Sequence, residues 1–585
     1  MRFVSQLFQP LLTIPKNAKI KNTEITCKSQ KLLLECGLIR PTSPGFFALL
    51  PLARRALDKL EALVKRHIEA AGGQRVSLPA LTAAGLWEKT GRITEELLKV
   101  QDRHGKKFVL APTHEEAIAD LLSDVGPLSY KQLPLLLYQI SDKYRDELRP
   151  KHGVLRARSF RMLDAYGAHT QEQATEVYQR VGEQYRRLFD TLRLDVHKVP
   201  APCGEMGGSE SHEWQLPAAA GEDRVSICAV CRQATVEEKC QCGGSTEAVN
   251  SIEVGHTFIL GTKYSEALGA NYVVPSGPPQ PIVMSCYGIG ITRLLAASLE
   301  ALSTDTALRW PEPIAPYRAI LIGPKEGSKE WSVYNSEQML GLFDKLSSLP
   351  GLRGDVIYDD RHQMTVGKRI LMADKMGYPL VIVCGKGVLE TPPRLELHSQ
   401  GETQLLTLGQ LMWVLQGGMR KLLIKCKINI LLYADDAAFV ATSESELQLM
   451  MDQFSKACSL FAMSINTKKT VVLAQGVSLV PQILLNGTQL EVVDRFCYLG
   501  STITDNLSLD AEVDIRIGKA ATTFGKLRAR VWQNRLLTTK TKVLVFQASV
   551  LSVLLYGAET WTTGDCVGWG MCTGWNPPVY HAVFL

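Results

Sequence analysis

The spacing of apolar and polar residues first indicates two differently built regions. Between residues 56 and 68, apolar side chains recur every three or four positions, which predicts an amphipathic helix. Gly72 and Gly73 end that helix, and residues 75–78 predict a short strand that stops at Pro79. Such mixed helical and strand patterns fill residues 24–310, so this region predicts a large mixed domain.

The pattern changes after a proline-rich segment. Pro311, Pro313 and Pro316 disfavour regular structure and predict a linker at residues 311–317. Predicted strands and helices then alternate, which favours a small α/β domain over 317–416; they lie at residues 317–322, 332–346, 354–358, 365–376 and 380–383. A further section covers 419–563. The Gly/Trp-rich tail at 564–585 has no period and is predicted to be unstructured.

Composition narrows the class of protein. A chain of 585 residues predicts three or four domains, and 45% hydrophobic with 21% charged residues is globular rather than disordered. A net charge of +6 is compatible with a nucleic-acid partner. No run of 18 apolar residues occurs, so no membrane span is expected.

The first 23 residues contain four basic side chains and no acidic one. Six apolar residues could line one face, although Pro10 interrupts a helix there; they are Phe3, Val4, Leu7, Phe8, Leu11 and Leu12. This pattern predicts a mitochondrial presequence. An ordinary solvated N-terminus is the alternative.

A charged run follows an apolar segment at residues 135–140. A strand there would place Arg145 and Glu147 on one face. An arginine can grip a phosphate or carboxylate with two hydrogen bonds, and Phe160 could stack on a base. A solvated, salt-bridged hairpin is the alternative.

Two further segments carry candidate chemistry. Glycines at residues 286–290, followed by Arg293 at the start of a helix, suit close approach to a phosphate. The segment 112–116 contains Thr113, Glu115 and Glu116 before a predicted helix. Its alternative interpretation is a capping box made by Thr113 and Glu116.

Together these segments resemble the class II aminoacyl-tRNA synthetases, and specifically prolyl-tRNA synthetases of the mitochondrial and bacterial type. The resemblance covers roughly residues 24–416, with a catalytic domain at 24–310 and an anticodon-binding domain at 317–416. Its motifs lie at residues 45–81, 111–117, 143–160, 206–223, 252–265, 286–293 and 356–385. The family implies an α+β fold, an antiparallel sheet flanked by helices, and a homodimer.

The resemblance also implies an ATP site that uses Mg²⁺. Arg145 would hold the α-phosphate, Glu147 the adenine amino group, Phe160 the ring, and Arg156 and Arg293 the outer phosphates. The implied ATP-binding set is Arg145, Glu147, Arg156, Phe160, Glu253 and Arg293. Arg145, Glu147 and Arg293 are the implied catalytic residues.

The same resemblance implies a proline pocket. Thr113 and Glu115 would recognise the imino group, Arg145 the carboxylate, and His256 and Phe258 would shape the wall. The implied function is proline–tRNA ligase: proline and ATP form prolyl-adenylate, which reacts with tRNA(Pro) in mitochondrial translation. Ser159 and the shortened stretch 92–97 depart from the family pattern and lower the expected efficiency.

Four of the fourteen cysteines cluster. Cys228, Cys231, Cys240 and Cys242 form CxxC and then CxC, a spacing near that of tetrahedral zinc sites. The pattern predicts a structural Zn²⁺. A loop of reduced cysteines without metal is the alternative.

Residues 428–442 predict strand, turn and strand, with Asp435 and Asp436 at the turn. Adjacent carboxylates can hold Mg²⁺ for nucleotidyl transfer. Here 466–473, 493–504 and 554–561 resemble the reverse transcriptase of LINE-type retrotransposons. The third metal-binding aspartate of that family has no counterpart, so the fragment is expected to be inert. Two alternative functions follow: an RNA-directed DNA polymerase fragment, and a synthetase-like RNA-binding protein without charging activity.

Overall fold

The structure is a computed structural model of the full chain. The residues that it describes are 3–8, 14, 19–228, 230–231, 234–235, 240, 242–399, 401–415, 430–433, 436–441, 444–460, 465–467, 469–475, 482–498, 501–504, 510–555, 566–567, 571–572 and 580–584. They form two compact units, Met1–Met412 and Trp413–Leu585.

Helices and strands alternate irregularly through the first unit. Its described helices are α1 (Lys28–Glu35), α2 (Pro51–Ala70), α3 (Ala84–Thr90), α4 (Glu115–Asp124), α5 (Ala174–Leu192), α6 (Lys263–Leu268), α7 (Ile291–Leu302), α8 (Ser336–Ser348), α9 (Val366–Met376) and α10 (Leu408–Trp413). Its described strands are β1 (Ile39–Ser43), β2 (Phe46–Leu49), β3 (Gly73–Arg75), β4 (Leu81–Ala83), β5 (Leu98–Gln101), β6 (Lys107–Leu110), β7 (Leu128–Ser129), β8 (Leu135–Tyr144), β9 (Ser159–His169), β10 (His197–Pro200), β11 (Glu210–Pro217), β12 (Asp223–Cys228), β13 (Ala234–Thr235), β14 (Thr246–Gly261), β15 (Asn271–Val273), β16 (Gln280–Pro281), β17 (Val283–Gly290), β18 (Ala319–Ile322), β19 (Val356–Asp359), β20 (Leu380–Val383), β21 (Arg394–Ser399) and β22 (Glu402–Thr407).

The centre of the first unit is a nine-stranded sheet. Seven strands run in the order β10-β11-β14-β17-β9-β8-β3, and β12 joins β14 and β13 at the side. All pairs are antiparallel except β3 with β8. Helices α2, α5 and α7 pack together against it, and their apolar faces contribute Leu60, Val64, Leu188 and Leu295 to one buried core. The predicted α+β fold with an antiparallel sheet flanked by helices is confirmed.

The predicted alternation of strands and helices after residue 317 is also confirmed. It forms a second sheet in the order β19-β18-β20-β21-β22, parallel at one end and antiparallel at the other. Each predicted element is present, with its ends moved by a few residues. Helix α9 is capped at its N-terminus by Thr365, whose side chain accepts from the Lys368 amide, and at its C-terminus by Gly377 in the left-handed conformation.

The linker prediction for residues 311–317 is wrong. Ile314, Ala315 and Tyr317 are buried, in a core shared with the central sheet. From α2, Arg55 donates to the carbonyl of Pro316 and Lys59 to that of Ala315. The proline-rich segment is therefore a packed turn. In an exposed linker water would donate to its backbone carbonyls, whereas here side chains of helix α2 do so.

The N-terminal segment packs against the edge of the second sheet. Phe3 forms a parallel bridge with Tyr358, and the amide of Ser5 donates to Asp360 over 2.9 Å. Val4 is buried. Of the predicted presequence, residues 1–2, 9–13 and 15–18 lie outside the described residues.

The second unit is a smaller α+β assembly. Its described helices are α11 (Glu444–Leu460), α12 (Asp510–Lys526), α13 (Thr539–Val545) and α14 (Ser552–Leu554). Its described strands are β23 (Ile430–Tyr433), β24 (Asp436–Ala441), β25 (Val471–Gln475), β26 (Leu484–Leu485), β27 (Thr488–Gln489), β28 (Glu491–Val493), β29 (Arg495–Tyr498), β30 (Ser501–Thr504), β31 (Cys566–Val567), β32 (Met571–Cys572) and β33 (Tyr580–Phe584).

Two predictions for this unit have different outcomes. The predicted hairpin is present, since β23 pairs with β24 and Tyr433 lies opposite Asp436, while residues 434–435 at its turn lie outside the described residues. The prediction of an unstructured tail is wrong for residues 566–567, 571–572 and 580–584, because β31 pairs with β32 and β33 pairs with both β24 and β25. The sequence of β33 has two aromatic residues and one valine, residue types that favour strands, but the glycines before it obscure this local signal.

Among the residues that the structure describes, none of the helices is long and apolar enough to cross a membrane.

Candidate active site

A cavity of about 390 Å³ lies on the central sheet, over β9, β14 and β17. Eight of the ten residues predicted for the ATP and proline sites line it, namely Thr113, Glu115, Arg145, Phe160, Glu253, His256, Phe258 and Arg293. Glu147 and Arg156 are not among its lining residues. Segments far apart in sequence thus converge on one cavity, as the motifs predict.

One end of the cavity is acidic. Arg92 Nη1 lies 3.1 Å from Glu115 Oε2 and 3.1 Å from Glu116 Oε1, and its Nη2 donates to Thr113 Oγ1 over 3.3 Å. Thr90 also donates to Glu116. Burial raises the pKa of Glu116 despite the charge of Arg92. The capping-box interpretation of Thr113 and Glu116 is wrong, because this buried cluster engages both side chains and His114 caps α4 without a side-chain bond.

Aromatic rings form the wall beside that acidic end. His256 stacks on Phe258 with 4.0 Å between ring centroids, and Trp87 and Tyr166 complete the apolar lining. His256 is itself held by Glu253 at 3.0 Å and by Ser211 at 2.7 Å. The resulting slot is apolar on its walls and charged at its end.

A β-bulge in β14 brings Glu253 to this wall. Trp214 pairs with Gly255 and Gln215 pairs with Glu253, so Val254 has no partner on β11. In an uninterrupted strand, residues 253 and 256 would point to opposite faces. The extra residue places Glu253 in the cavity with His256, which alternation along the sequence does not predict.

The other end of the cavity is cationic. The Arg145 guanidinium lies 5.2 Å from the centroid of Phe160, and burial together with the charge of Arg293 lowers the pKa of Arg145. Arg293 lies 3.5 Å from Glu253 and donates to the Leu155 carbonyl. Arg145 and Arg293 thus bring two guanidinium groups to this end of the cavity, a donor set that suits a phosphate.

Glu147 and Arg156 form ion pairs in the loop that follows β8. Strand β8 ends at Tyr144, so Arg145 and Glu147 follow it in a loop and the shared strand face is wrong. Glu147 pairs with Arg156 over 2.9 Å, and Arg156 also contacts Glu222 over 2.6 Å. These charges hold the hairpin loop together through mutual ion pairs.

A buried hydrogen-bond network that reaches the cavity wall through Asp164 and Tyr166 is not predicted from the sequence. Asp164 accepts from Lys143 at 2.6 Å, Tyr166 at 2.8 Å and Gln139 at 3.0 Å. Burial opposes its ionisation, but His114 and Lys143 together lower the pKa of Asp164. The sequence indicates this network only through Asp164, an acidic residue within the apolar pattern of β9. The spacing of residues does not reveal which side chains pair with it.

The four clustered cysteines come together at the end of β12. Their sulfur atoms all lie within 4.8 Å of one another, and the thiols are free. Cys228 and Cys240 are buried, while Cys231 and Cys242 are exposed. Zn–S bonds of about 2.3 Å place tetrahedral sulfurs about 3.8 Å apart. The donor set and its compactness therefore fit zinc.

Comparison with known proteins agrees with this site. The model of the tRNA synthetase class II core domain (G, H, P, S and T) matches residues 98–302. The probable mitochondrial proline–tRNA ligase of Rattus norvegicus is 44% identical over 436 residues, which cover 71% of this chain and 90% of that protein. Its Homo sapiens counterpart is 46% identical over 402 residues, which cover 66% of this chain and 84% of that protein. The proline–tRNA ligase of Sulfurimonas denitrificans is 35% identical, with 63% and 90% covered.

A solved structure supports the fold. Giardia lamblia prolyl-tRNA synthetase in complex with prolyl-adenylate superposes with a TM-score of 0.56 at 20% identity, over 66% of this chain and 75% of that one. At that identity the likeness concerns the fold alone. With the relatives above, it supports the conclusion that this chain belongs to the class II prolyl-tRNA synthetase family.

Proposed function

We propose that this protein is a proline–tRNA ligase that activates proline with ATP and transfers it to tRNA(Pro). One observation carries the proposal: a single cavity joins an acidic, aromatic-walled end at Glu115 to a cationic end at Arg145 and Arg293. Proline has a secondary ammonium on an apolar ring, and ATP brings a polyphosphate. The two ends have complementary charges for these two substrates.

The activation step needs positioning rather than a nucleophile. The proline carboxylate attacks the α-phosphorus in line and pyrophosphate leaves. Arg145 would hold carboxylate and α-phosphate together, and Arg293 would neutralise the outer phosphates. When bound, Mg²⁺ would neutralise phosphate charge beside Glu253. Fixed charges in a desolvated cavity stabilise the charge that develops in the transition state.

The remaining ATP roles would fall to Phe160, at the start of β9, and to Glu147 and Arg156 in the loop between β8 and β9. Phe160 would stack on adenine, since Arg145 already covers one face of its ring. Glu147 and Arg156 would contact the nucleotide from the rim of the cavity, where they now pair with each other. In that case bound ATP replaces part of their ion pairing.

Three further parts of the proposal concern the whole protein. The sheet at 317–416 would bind the anticodon of tRNA(Pro), and residues 45–81, which include α2, would contribute to a homodimer. The rat and human relatives are mitochondrial enzymes by name, and this protein belongs in mitochondrial translation with them. The residues at 1–23 would act as the targeting segment.

The four-cysteine cluster is proposed to bind a structural Zn²⁺. Cys228, Cys231, Cys240 and Cys242 would all be ligands, which leaves no open coordination position for catalysis. The cluster closes the loop between β12 and β14, and β14 continues to Glu253 and His256. Zinc would therefore fix one end of a strand that carries active-site residues.

The section at 419–563 is proposed to be a catalytically inert remnant of a LINE-type reverse transcriptase. The support is the β23–β24 hairpin together with the sequence resemblance. By that resemblance, the third metal-binding aspartate of a two-metal polymerase site has no counterpart in this chain.

Proline-dependent ATP–pyrophosphate exchange, followed by charging of tRNA(Pro), tests the proposal. Exchange that requires proline and charging that requires tRNA(Pro) are the expected results. RNA binding without exchange would favour a synthetase-like RNA-binding protein. Primer extension on an RNA template without exchange would favour a polymerase fragment.

A further inference from the structure

Arg92 lies at the centre of the acidic end of the cavity, although no motif includes it. Its side chain is only 10% exposed, and it contacts Thr113, Glu115 and Glu116 at once. The guanidinium also lies over the ring of Trp87 at 5.1 Å and near that of Tyr264 at 5.7 Å. Hydrogen bonds fix its edge while aromatic rings fix its faces.

The charges of this cluster do not balance. Glu115 and Glu116 are 3% and 0% exposed, and Arg92 is the cation that pairs with both. With both carboxylates ionised, Glu115, Glu116 and Arg92 together carry a net charge of −1. The adjacent Lys143 does not change this balance, because its ammonium group pairs with Asp164. A buried negative charge that lacks a cation favours a ligand that brings one.

We propose that Arg92 is a positioning residue for proline recognition, and that Glu116 supplies the charge that offsets it. Arg92 orients Glu115 and the Thr113 hydroxyl toward the imino group. Glu116 keeps the cluster negative, so that Glu115 can attract a secondary ammonium although Arg92 is close. This inference rests on the proposed function, because it assigns proline to this end of the cavity.

The effects of losing Arg92 and of losing the charge of Glu116 should partly cancel. Without Arg92, the two buried carboxylates repel each other, so one takes up a proton and Glu115 loses its fixed orientation. Without the charge of Glu116, Arg92 pairs fully with Glu115 and the cluster becomes neutral. Loss of both leaves Glu115 alone with its negative charge. Each single loss should therefore weaken proline binding more than the double loss does.

The test compares Arg92→Met, Glu116→Gln and the double variant in the full chain by pyrophosphate exchange. A hydrogen bond to a charged group corresponds to roughly tenfold or more in affinity. Each single variant should raise the KM for proline by about that factor, with the KM for ATP within about twofold. The double variant should recover at least half of the loss on a logarithmic scale.

Further measurements keep the outcome interpretable. Thermal unfolding reports whether each variant folds, and Arg92→Lys provides a charged substitute if Arg92→Met does not. Lysine cannot reproduce the planar contacts with Trp87 and Tyr264, so its KM for proline should also rise. A double variant no better than the singles, or equal changes in both KM values, would overturn the inference. Absence of exchange in the unaltered protein would instead overturn the proposed function.

Discussion

The two units of the chain bury charge and apolar surface to different extents. In residues 1–412, Glu116, Lys143 and Asp164 are almost completely buried, and each has an ionic partner. In residues 413–585, the described residues include one buried ion pair, between Glu512 and Arg516, and one compact apolar cluster around Phe439 and Met451. Large apolar side chains elsewhere in that unit are solvent-exposed among the described residues, including Ile517 at 53% and Leu536 at 93%.

This difference shows what a complete core makes possible. Burying a charge costs free energy unless it is paired, and a well-packed core holds the paired groups in place. In the first unit such a core fixes charged side chains around a cavity. The second unit has the exposed apolar surface expected of a fragment whose original partners are missing.

Removing Arg145 should have the largest effect on the first unit. Arg145→Ala is expected to lower proline-dependent pyrophosphate exchange by about 100-fold or more, because it removes a charged bidentate contact from a desolvated site. Steady-state exchange kinetics measure this. Arg149→Ala is the matched control, since Arg149 is exposed and does not line the cavity. Near-normal exchange in a folded Arg145→Ala protein would remove this residue from the site.

Asp360 follows the carboxyl end of β19, the edge at which α/β sheets bind ligands, so it tests the anticodon role of the second sheet. Asp360→Asn should lower tRNA charging at limiting tRNA(Pro) by about tenfold, because one specific contact to a base is worth about 1–3 kcal/mol. Pyrophosphate exchange should stay within about twofold. Glu402→Gln, an exposed change on β22 of the same sheet, is the control. Equal losses of charging and exchange would indicate a structural role instead.

The cysteine cluster should affect stability more than chemistry. Cys228→Ser is expected to abolish stoichiometric zinc and to lower the Tm by about 5 °C, because metal binding to the folded state contributes to folding free energy. Elemental analysis and thermal unfolding measure both. Cys497→Ser, at an exposed free cysteine outside the cluster, should change neither. Purified protein that contains no zinc and keeps its full Tm would contradict the proposed site.

Removing the second unit should have the smallest effect on activity. Truncation after residue 415 is expected to leave prolyl-tRNA formation within about twofold and to raise the soluble yield, because exposed apolar surface is lost. Charging kinetics and fractionation of expressed protein measure these effects. The full chain should extend no primer on an RNA template. Extension that disappears in an Asp435→Ala, Asp436→Ala double variant would contradict the inert assignment.

The sequence predicted the fold better than the contacts inside the site. Helix α2, strand β20 and the hairpin at 430–441 follow from local periodicity, which needs no knowledge of distant residues. The convergence of Glu115 with Arg145 follows from family motifs. Arg92 could not be found in either way, because its importance comes from two carboxylates 23 and 24 residues along the chain.

The linker at 311–317 and the capping box at Thr113 fail for the same physical reason. Both predictions use local preferences, and in both cases a buried tertiary partner overrides them. Lys59 and Arg55 bind the carbonyls of the first segment, and Arg92 binds the side chains of the second. Long charged side chains can contact residues that are distant in the sequence. Local sequence patterns therefore do not predict their partners.

The β-bulge at Val254 makes the numbers of residues in β11 and β14 as important as their identity. Inserting one residue between Trp214 and Gln215 of β11 would give Val254 a partner and restore ordinary alternation, so Glu253 and His256, three positions apart, could no longer share a face although both remain present. Such a one-residue insertion would damage the cavity more than a conservative substitution at either position. Which face the active-site side chains occupy therefore depends on how many residues the paired strands contain. A comparison of aligned residue types alone would overlook that property.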